Sequence, residues 1–237
     1  MISGKSFADL CQWVVDPRYP ERQTFHYASA KDKDWVFVNG DCLSDLLRRF
    51  PLITLKRFVF VIHNSDRSFG RNELYALLLK AYHVYAINTT IQHPTLTTIP
   101  LGFVDRQLPF LYGFKAGALE RTIEVYMNFS VNTNVQKRYE CANALKDDPR
   151  VVRHEGLSVP EYYMDLCRSK FVLCPEGTGM DTHRVYEALY CGATPVVLRN
   201  SLSHLYAKFP ICIVDKWTDT YVVPEPKTIH WDSKSFL

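Results

Sequence analysis

The chain has 237 residues, 47% of them hydrophobic and 14% aromatic, enough to bury one large core or two of roughly 110 residues each. Its 28 Lys and Arg against 25 Asp and Glu leave a net charge of +3, too small and too evenly spread for the clustered basic face that nucleic acid demands. The composition is that of an ordinary globular protein without a nucleic-acid footprint.

The amino terminus, MISGKSFADLCQWVVDP, holds no continuous apolar segment of signal-peptide length, and no later run approaches the roughly 20 apolar residues of a membrane span. The cysteines at 11, 42, 141, 167, 174, 191 and 212 are odd in number, sit mostly inside apolar patterns and make no CxxC spacing. They are expected to be reduced and buried, in a soluble protein of a reducing compartment such as the cytoplasm. The Asn-x-Ser/Thr triplets at Asn88 and Asn128 weigh little against this, because such triplets arise often by chance.

In chain order, DWVFVNG (34–40) and FVFVIHN (58–64) are short apolar runs, rich in β-branched and aromatic residues and ending in turn residues, as buried strands of a parallel sheet do. CLSDLLRRF between them reads as a helix, and NELYALLLKAY after them as another. HVYAINT and TTIPLGF are two further candidate strands, so residues 30–105 read as βαβαβ. GFKAGALER (113–121) is a small-residue, charged connector. Beyond it come the strand IEVYMNFSV, the helix NVQKRYECANALKD, the strand VVRHEG and the helix VPEYYMDLCRSK with Pro160 in its first turn. FVLCPEG, THRVYEALYCG, TPVVL, SLSHLYAKF and ICIVDKW continue as strand, helix, strand, helix and strand, with Gly192 closing the first of these helices. Two successive α/β series predict two Rossmann-like domains facing across a cleft, residues 1–115 and 116–237, with ligands at the carboxyl ends of the strands. The polar, Pro-containing tail VVPEPKTIHWDSKSFL is expected to pack back on the first domain.

The stretch PEGTGMDTHRVYEALYCG (175–192) joins flexible backbone to charged and forked side chains. It leaves a strand at its carboxyl end and starts a helix, so Gly177 and Gly179 would let the backbone approach a ligand while the helix amino terminus offers free N–H groups, a geometry that favours phosphate. Asp181 or Thr182 can cap the helix. His183 and Glu187, four apart, share a face; Arg184 can grip an anion with its fork, and Glu187 can accept from a ribose diol. A strand, a turn and a capped helix also recur in every α/β protein, and neither GxGxxG nor GxxxxGK[ST] is present.

SKFVLCPEGTGMDTHRVYEALYCGATPVVLRNSLSHLYAKFPICIVDKW (169–217) resembles the carboxyl-terminal signature of exostosin-like glycosyltransferases, which reads approximately as a K-F-x-L-x-P-x-G strand and loop, an H-R-x-x-E-A-L helix, then G-x-x-P-V-V and a closing P-hydrophobic-x-V-x-x-W, the last met here with one residue more between Pro210 and Trp217. VFVNGDCL, FVFVIHNSDRSFG, VYAINTT and IPLGF resemble that family's amino-terminal half more loosely. The resemblance implies a GT-B fold, a UDP-sugar donor and a glycan acceptor, with Glu176, Gly177, Thr178, Gly179, His183, Arg184 and Glu187 around the donor. The chain is short for such enzymes and reads as a minimal, free-standing catalytic module. Relatives use xylose, galactose, glucuronic acid or arabinose, so the sugar stays open.

Transfer from a sugar nucleotide requires neutralising charge on the departing diphosphate and activating an acceptor hydroxyl. Arg184 and the helix amino terminus suit the first task, and no DxD motif is convincing, since DKD (32–34) and DDP (147–149) read as solvated turns. No metal or other cofactor is therefore expected, and the transfer is expected to invert the anomeric centre. For the second task VIHNSDRSFG ends a strand with Asp66, the first choice as general base, and His63, the second. Asn64, Ser65 and Asp66 are equally ordinary turn residues. His26, His83, His93, His154 and His230 share no spacing and are expected to be structural or exposed. The alternative function is a non-catalytic sugar- or nucleotide-binding module on the same fold.

Overall fold

The computed structural model describes residues 1–50, 55–114 and 119–237. It divides into two compact units, Met1–Leu101 with His230–Leu237, and Gly102–Ile229. The expected boundary at 115/116, inside the connector GFKAGALER, lies outside the described residues.

The first unit runs α1 (Gly4–Ala8), β1 (Trp13–Val15), β2 (Trp35–Asn39), α2 (Leu43–Arg49), β3 (Phe58–His63), α3 (Arg71–Leu78), β4 (Ala81–Ala86) and β5 (Leu96–Thr98). Its five strands are parallel and lie in simple chain order. Val36, Val38, Phe58, Phe60 and Val84 are fully buried in its core, as continuous apolar strands require when a sheet is covered on both faces.

The sequence reading differs from this unit in three places. Ala81 and Tyr82 continue the helical pattern NELYALLLKAY, yet they belong to β4, because Ala81 pairs with Phe58 across the sheet and pairing overrides local propensity. Only Leu96–Thr98 of the TTIPLGF region is strand, since Pro100 has no N–H for the ladder. The short α1 and β1 were not expected at all. The tail segment His230–Leu237 packs in this unit, where the Tyr85 hydroxyl donates to the Leu237 carbonyl at 2.6 Å and the Ser6 and Ser233 hydroxyls meet at 2.6 Å.

The second unit runs α4 (Leu108–Leu111), β6 (Ile123–Met127), α5 (Val135–Ala144), β7 (Val151–Arg153), α6 (Val159–Arg168), β8 (Ser169–Leu173), α7 (His183–Tyr190), β9 (Thr194–Leu198), α8 (Ser203–Tyr206) and β10 (Cys212–Val214). A capping box between Ser158 and Glu161 starts α6, and Gly192, at φ +76°, follows the end of α7 in the left-handed conformation that suits glycine. The strands are parallel in the order β10-β9-β8-β6-β7.

That order carries the functional consequence. The chain steps outward from β6 to β7, then returns past β6 to build β8, β9 and β10. Right-handed crossovers running in opposite directions put α5 and α7 on opposite faces of the sheet, so the loops after β6 and β8 part at its carboxyl edge. Ligands of open α/β sheets bind in the crevice at such a reversal. The protein is thus α/β, with two parallel five-stranded sheets, and no helix among the described residues is long and apolar enough to cross a membrane.

Candidate functional site

The crevice between β6 and β8 is stitched by one buried cation. Arg138, on α5 and 6% exposed, donates from Nη1 to the Ser130 carbonyl after β6 at 2.8 Å and from Nε to the Glu176 carbonyl after β8 at 3.1 Å. Asn134 adds a second stitch, donating to the Gly177 carbonyl at 2.8 Å. A Cβ on Gly177 would stand 3.0 Å from the Arg138 Nη2. Gly177 lets the loop pass this close to the Arg138 guanidinium, which a side chain would push aside; its φ is not in the left-handed region.

Arg184 enters the same crevice from the first turn of α7. Its guanidinium and that of Arg138 both lie 5.7 Å from the centroid of the Phe129 ring. Burial, reinforced by the charge of Arg184, holds the Arg138 guanidinium down to about 10. Among the described residues no carboxylate pairs with either arginine. The Arg184 Nε and the Thr182 hydroxyl are both buried with no partner among the described residues. Two neighbouring cations and an orphaned donor at a helix amino terminus each cost free energy while no negative group stands near them.

The other predicted donor residues surround this point. Thr182 occupies the N-cap position of α7 without making a side-chain cap bond. Asp181 does not cap either; it is buried, and it accepts from the Tyr186 hydroxyl at 2.5 Å and the Tyr206 hydroxyl at 3.1 Å. The Gly177 N–H donates to the Gly179 carbonyl at 3.0 Å, folding the loop back on itself. Thr178 is exposed. Glu176 is half-buried and accepts from Asn200 at 2.9 Å. The half-buried His183 donates from Nδ1 to the Gly102 carbonyl at 2.7 Å, which fixes its tautomer when neutral.

Glu187 is 5% exposed and accepts from the Tyr162 hydroxyl at 2.8 Å and the Tyr163 hydroxyl at 3.5 Å. Burial, then the carboxylate of Glu187, pushes the Tyr162 hydroxyl far above its usual range. Tyr162 stays a hydrogen-bond donor that orients the carboxylate.

In the first unit the two predicted bases part company. His63 ends β3 at 1% exposure. Its Nε2 donates to the Pro100 carbonyl at 3.3 Å, and its Nδ1 accepts from the Asn64 N–H at 2.8 Å, so both ring nitrogens are engaged. Asp66 is exposed in the following loop and bonds to no described residue. Asn64, at φ +61°, turns this loop and donates to the Asp16 carboxylate at 2.9 Å. Asp16 is buried after β1 and also binds Arg18 and Asn39.

Sequence reasoning missed Arg138, Phe129 and Tyr162. The signal for Arg138 was present: it lies three and seven positions before Cys141 and Leu145, on the stripe that α5 buries, where a cation needs a reason. Among the described residues no three His, Cys, Asp or Glu side chains gather in a metal-like group. Asp32 of DKD accepts from the Arg57 N–H and the Tyr82 hydroxyl, and Asp148 of DDP pairs with Arg150.

No curated protein matches the chain. Residues 106–220, which include β6 through β10 and both arginines, match the family model of the RXYLT1 C-terminal domain, an exostosin-related glycosyltransferase family domain, so the second unit is similar to glycosyltransferases of that kind.

Proposed function

We propose that the protein is a glycosyltransferase of GT-B type that moves a sugar from a UDP-sugar to a hydroxyl of a glycan acceptor. The observation that carries this reading is the pair Arg138 and Arg184, two unpaired cations at the strand-order reversal of the second unit. The family match over the same residues supports the choice of a sugar nucleotide over other phosphorylated ligands.

The diphosphate lies on the two guanidiniums and the free N–H groups of the first turn of α7. As the glycosidic bond breaks, negative charge grows on the leaving phosphate. Fixed cations in a partly desolvated crevice then stabilise the transition state more than the ground state. This is the task a divalent metal performs elsewhere, and the protein charge performs it here. Glu187, held by Tyr162 and Tyr163, accepts from the ribose hydroxyls through lone pairs the tyrosines leave open.

The first unit supplies the acceptor side. His63 has both ring nitrogens committed, which leaves Asp66, exposed and unengaged, as the general base that takes the acceptor proton. Attack from the face opposite the diphosphate inverts the anomeric centre. A chain in which Asp66 plays no such part would bind sugar nucleotides without turning them over, which is the second reading. Incubation with a panel of UDP-sugars, scored for UDP release with and without glycan acceptors, separates the two. Release from one donor supports the enzyme, binding without release supports the module, and no binding removes both.

A further inference from the structure

Two of the seven cysteines meet where α6 packs on α7. Cys167 stands in the last turn of α6, and Cys191 directly follows α7. Both are buried, at 2% and 0% exposure, and the Cys191 thiol donates a hydrogen bond to the Cys167 sulfur. One cation holds the meeting point together. From the segment before β6, Arg121 donates from Nη1 to the carbonyls of Leu166 and Ser169, on either side of Cys167, and from Nη2 to the Cys191 carbonyl at 3.1 Å. Its guanidinium thus fixes both backbones, and its charge reaches both sulfurs.

This pair is chemically unlike the other cysteines. Burial pushes the thiols of Cys11, Cys42, Cys141, Cys174 and Cys212 above their usual value, which keeps them protonated and unreactive, because the thiolate is the nucleophile. Cys167 goes the other way. The hydrogen bond from Cys191 outweighs burial, the charge of Arg121 adds to it, and the group is held below its usual value. The same hydrogen bond, with burial, pushes Cys191 up. A sulfur that gives up its proton therefore faces one that keeps it, the arrangement of an attacking and a resolving cysteine. Because both are buried, the reagent that reaches them is small.

We infer that Cys167 and Cys191 form a redox modification site, which hydrogen peroxide closes to a disulfide that staples α6 to α7. The Cys167 sulfur attacks one peroxide oxygen, the O–O bond breaks, and the departing hydroxide takes a proton and leaves as water. The Cys191 sulfur then attacks the sulfenic acid formed on Cys167, and its hydroxyl leaves with the Cys191 proton as a second water. The two thiols lose two electrons and the peroxide gains them. The bond joins the helices that carry Tyr162 and Glu187, yet the inference does not depend on the sugar-nucleotide reading.

The test is exposure of the folded full chain to hydrogen peroxide, followed by alkylation of the remaining thiols, peptide mapping by mass spectrometry and a thermal melt. The parent should lose two hydrogens, keep five of its seven thiols and yield one linked peptide pair, Cys167 with Cys191. It should melt several degrees above the reduced chain, since a cross-link restricts the unfolded state, and dithiothreitol should reverse both changes. Cys191→Ser should stop at a sulfenic acid on Cys167 that a 1,3-dione reagent captures, and Cys167→Ser should leave Cys191 a thiol. A linked pair made by other cysteines, such as Cys141 with Cys174, overturns the inference. So does a Cys167 that stays a thiol, or that advances to the sulfinic acid while Cys191 is free. A disulfide that leaves the melt unchanged or lowers it overturns the staple. Should either serine variant fail to fold, the peptide map of the parent decides alone.

Discussion

Replacing Arg184 with alanine separates an anion-binding arginine from a structural one, because this side chain does so little for the fold. It makes no ion pair or hydrogen bond among the described residues, and its guanidinium lies over the Phe129 ring, a contact worth roughly 0.5–1 kcal/mol. Against that stand a buried Nε without an acceptor, costing about 1–3 kcal/mol, and repulsion from Arg138. Removal should leave the melting temperature unchanged or raise it. Binding should behave in the opposite way. A charge-assisted hydrogen bond to phosphate contributes about 1.5–3 kcal/mol, so Arg184→Ala should weaken UDP and pyrophosphate roughly 10- to 150-fold. Calorimetry gives the affinities and a thermal melt the stability. Unchanged affinity would take Arg184 out of the site. A melting temperature that falls by several degrees would show that the arginine holds the fold.

Gly177→Ala places a Cβ 3.0 Å from the Arg138 Nη2 and should displace that guanidinium, weakening UDP severalfold with little change in melting temperature; normal affinity would deny Arg138 a binding role. Glu187→Ala leaves the Tyr162 hydroxyl short of its acceptor, whereas the Tyr163 hydroxyl keeps the Gln107 side chain, and should cost roughly 1–3 kcal/mol in denaturant unfolding; an unchanged midpoint would mean that Tyr162 is bonded elsewhere. Burial works to raise the Asp16 carboxyl, but hydrogen bonds from Asn64, Arg18 and Asn39 outweigh it and hold the group below its usual value. Its stabilisation is then present above about pH 4 and lost as pH falls through the lowered folded value. Asp16→Asn should be less stable than the parent at pH 7, with the gap closing in acid; a gap independent of pH would refute this. Asp66→Asn should keep donor affinity and lower turnover by about 100-fold or more, while near-normal turnover would place the base elsewhere.

The strands and most helices were legible because apolar runs such as FVFVIH and FVL have one stable use, burial between helices. β1 was not, since three residues are too few to show a period; it exists because Trp13 to Val15 pair with Val36 to Val38. The strand order was equally invisible. Both halves read as the same alternation, yet one sheet runs in sequence and the other reverses between β6 and β8, a difference set by which edges meet in three dimensions. The glycine loop and Arg184 could be picked out locally. Arg138 showed only as a cation on the stripe that α5 buries; what it holds was not legible, because its partners Ser130 and Glu176 stand 8 residues before and 38 residues after it, a closeness only the fold creates. Local propensity left Asp181 and Thr182 open as the cap: Thr182 takes the N-cap position without a side-chain cap bond, and the Asp181 carboxylate accepts from two buried tyrosines.

Release of UDP from UDP-sugars, followed by mass spectrometry of the products, tests the central claim most directly. The parent chain should release UDP from one or more UDP-sugars and transfer that sugar to a glycan hydroxyl with the anomeric configuration inverted, and the double variant Arg138→Gln, Arg184→Gln should lose that activity together with UDP binding. A chain that binds no UDP and releases none from any UDP-sugar, or whose double variant releases it as fast as the parent, would contradict the account.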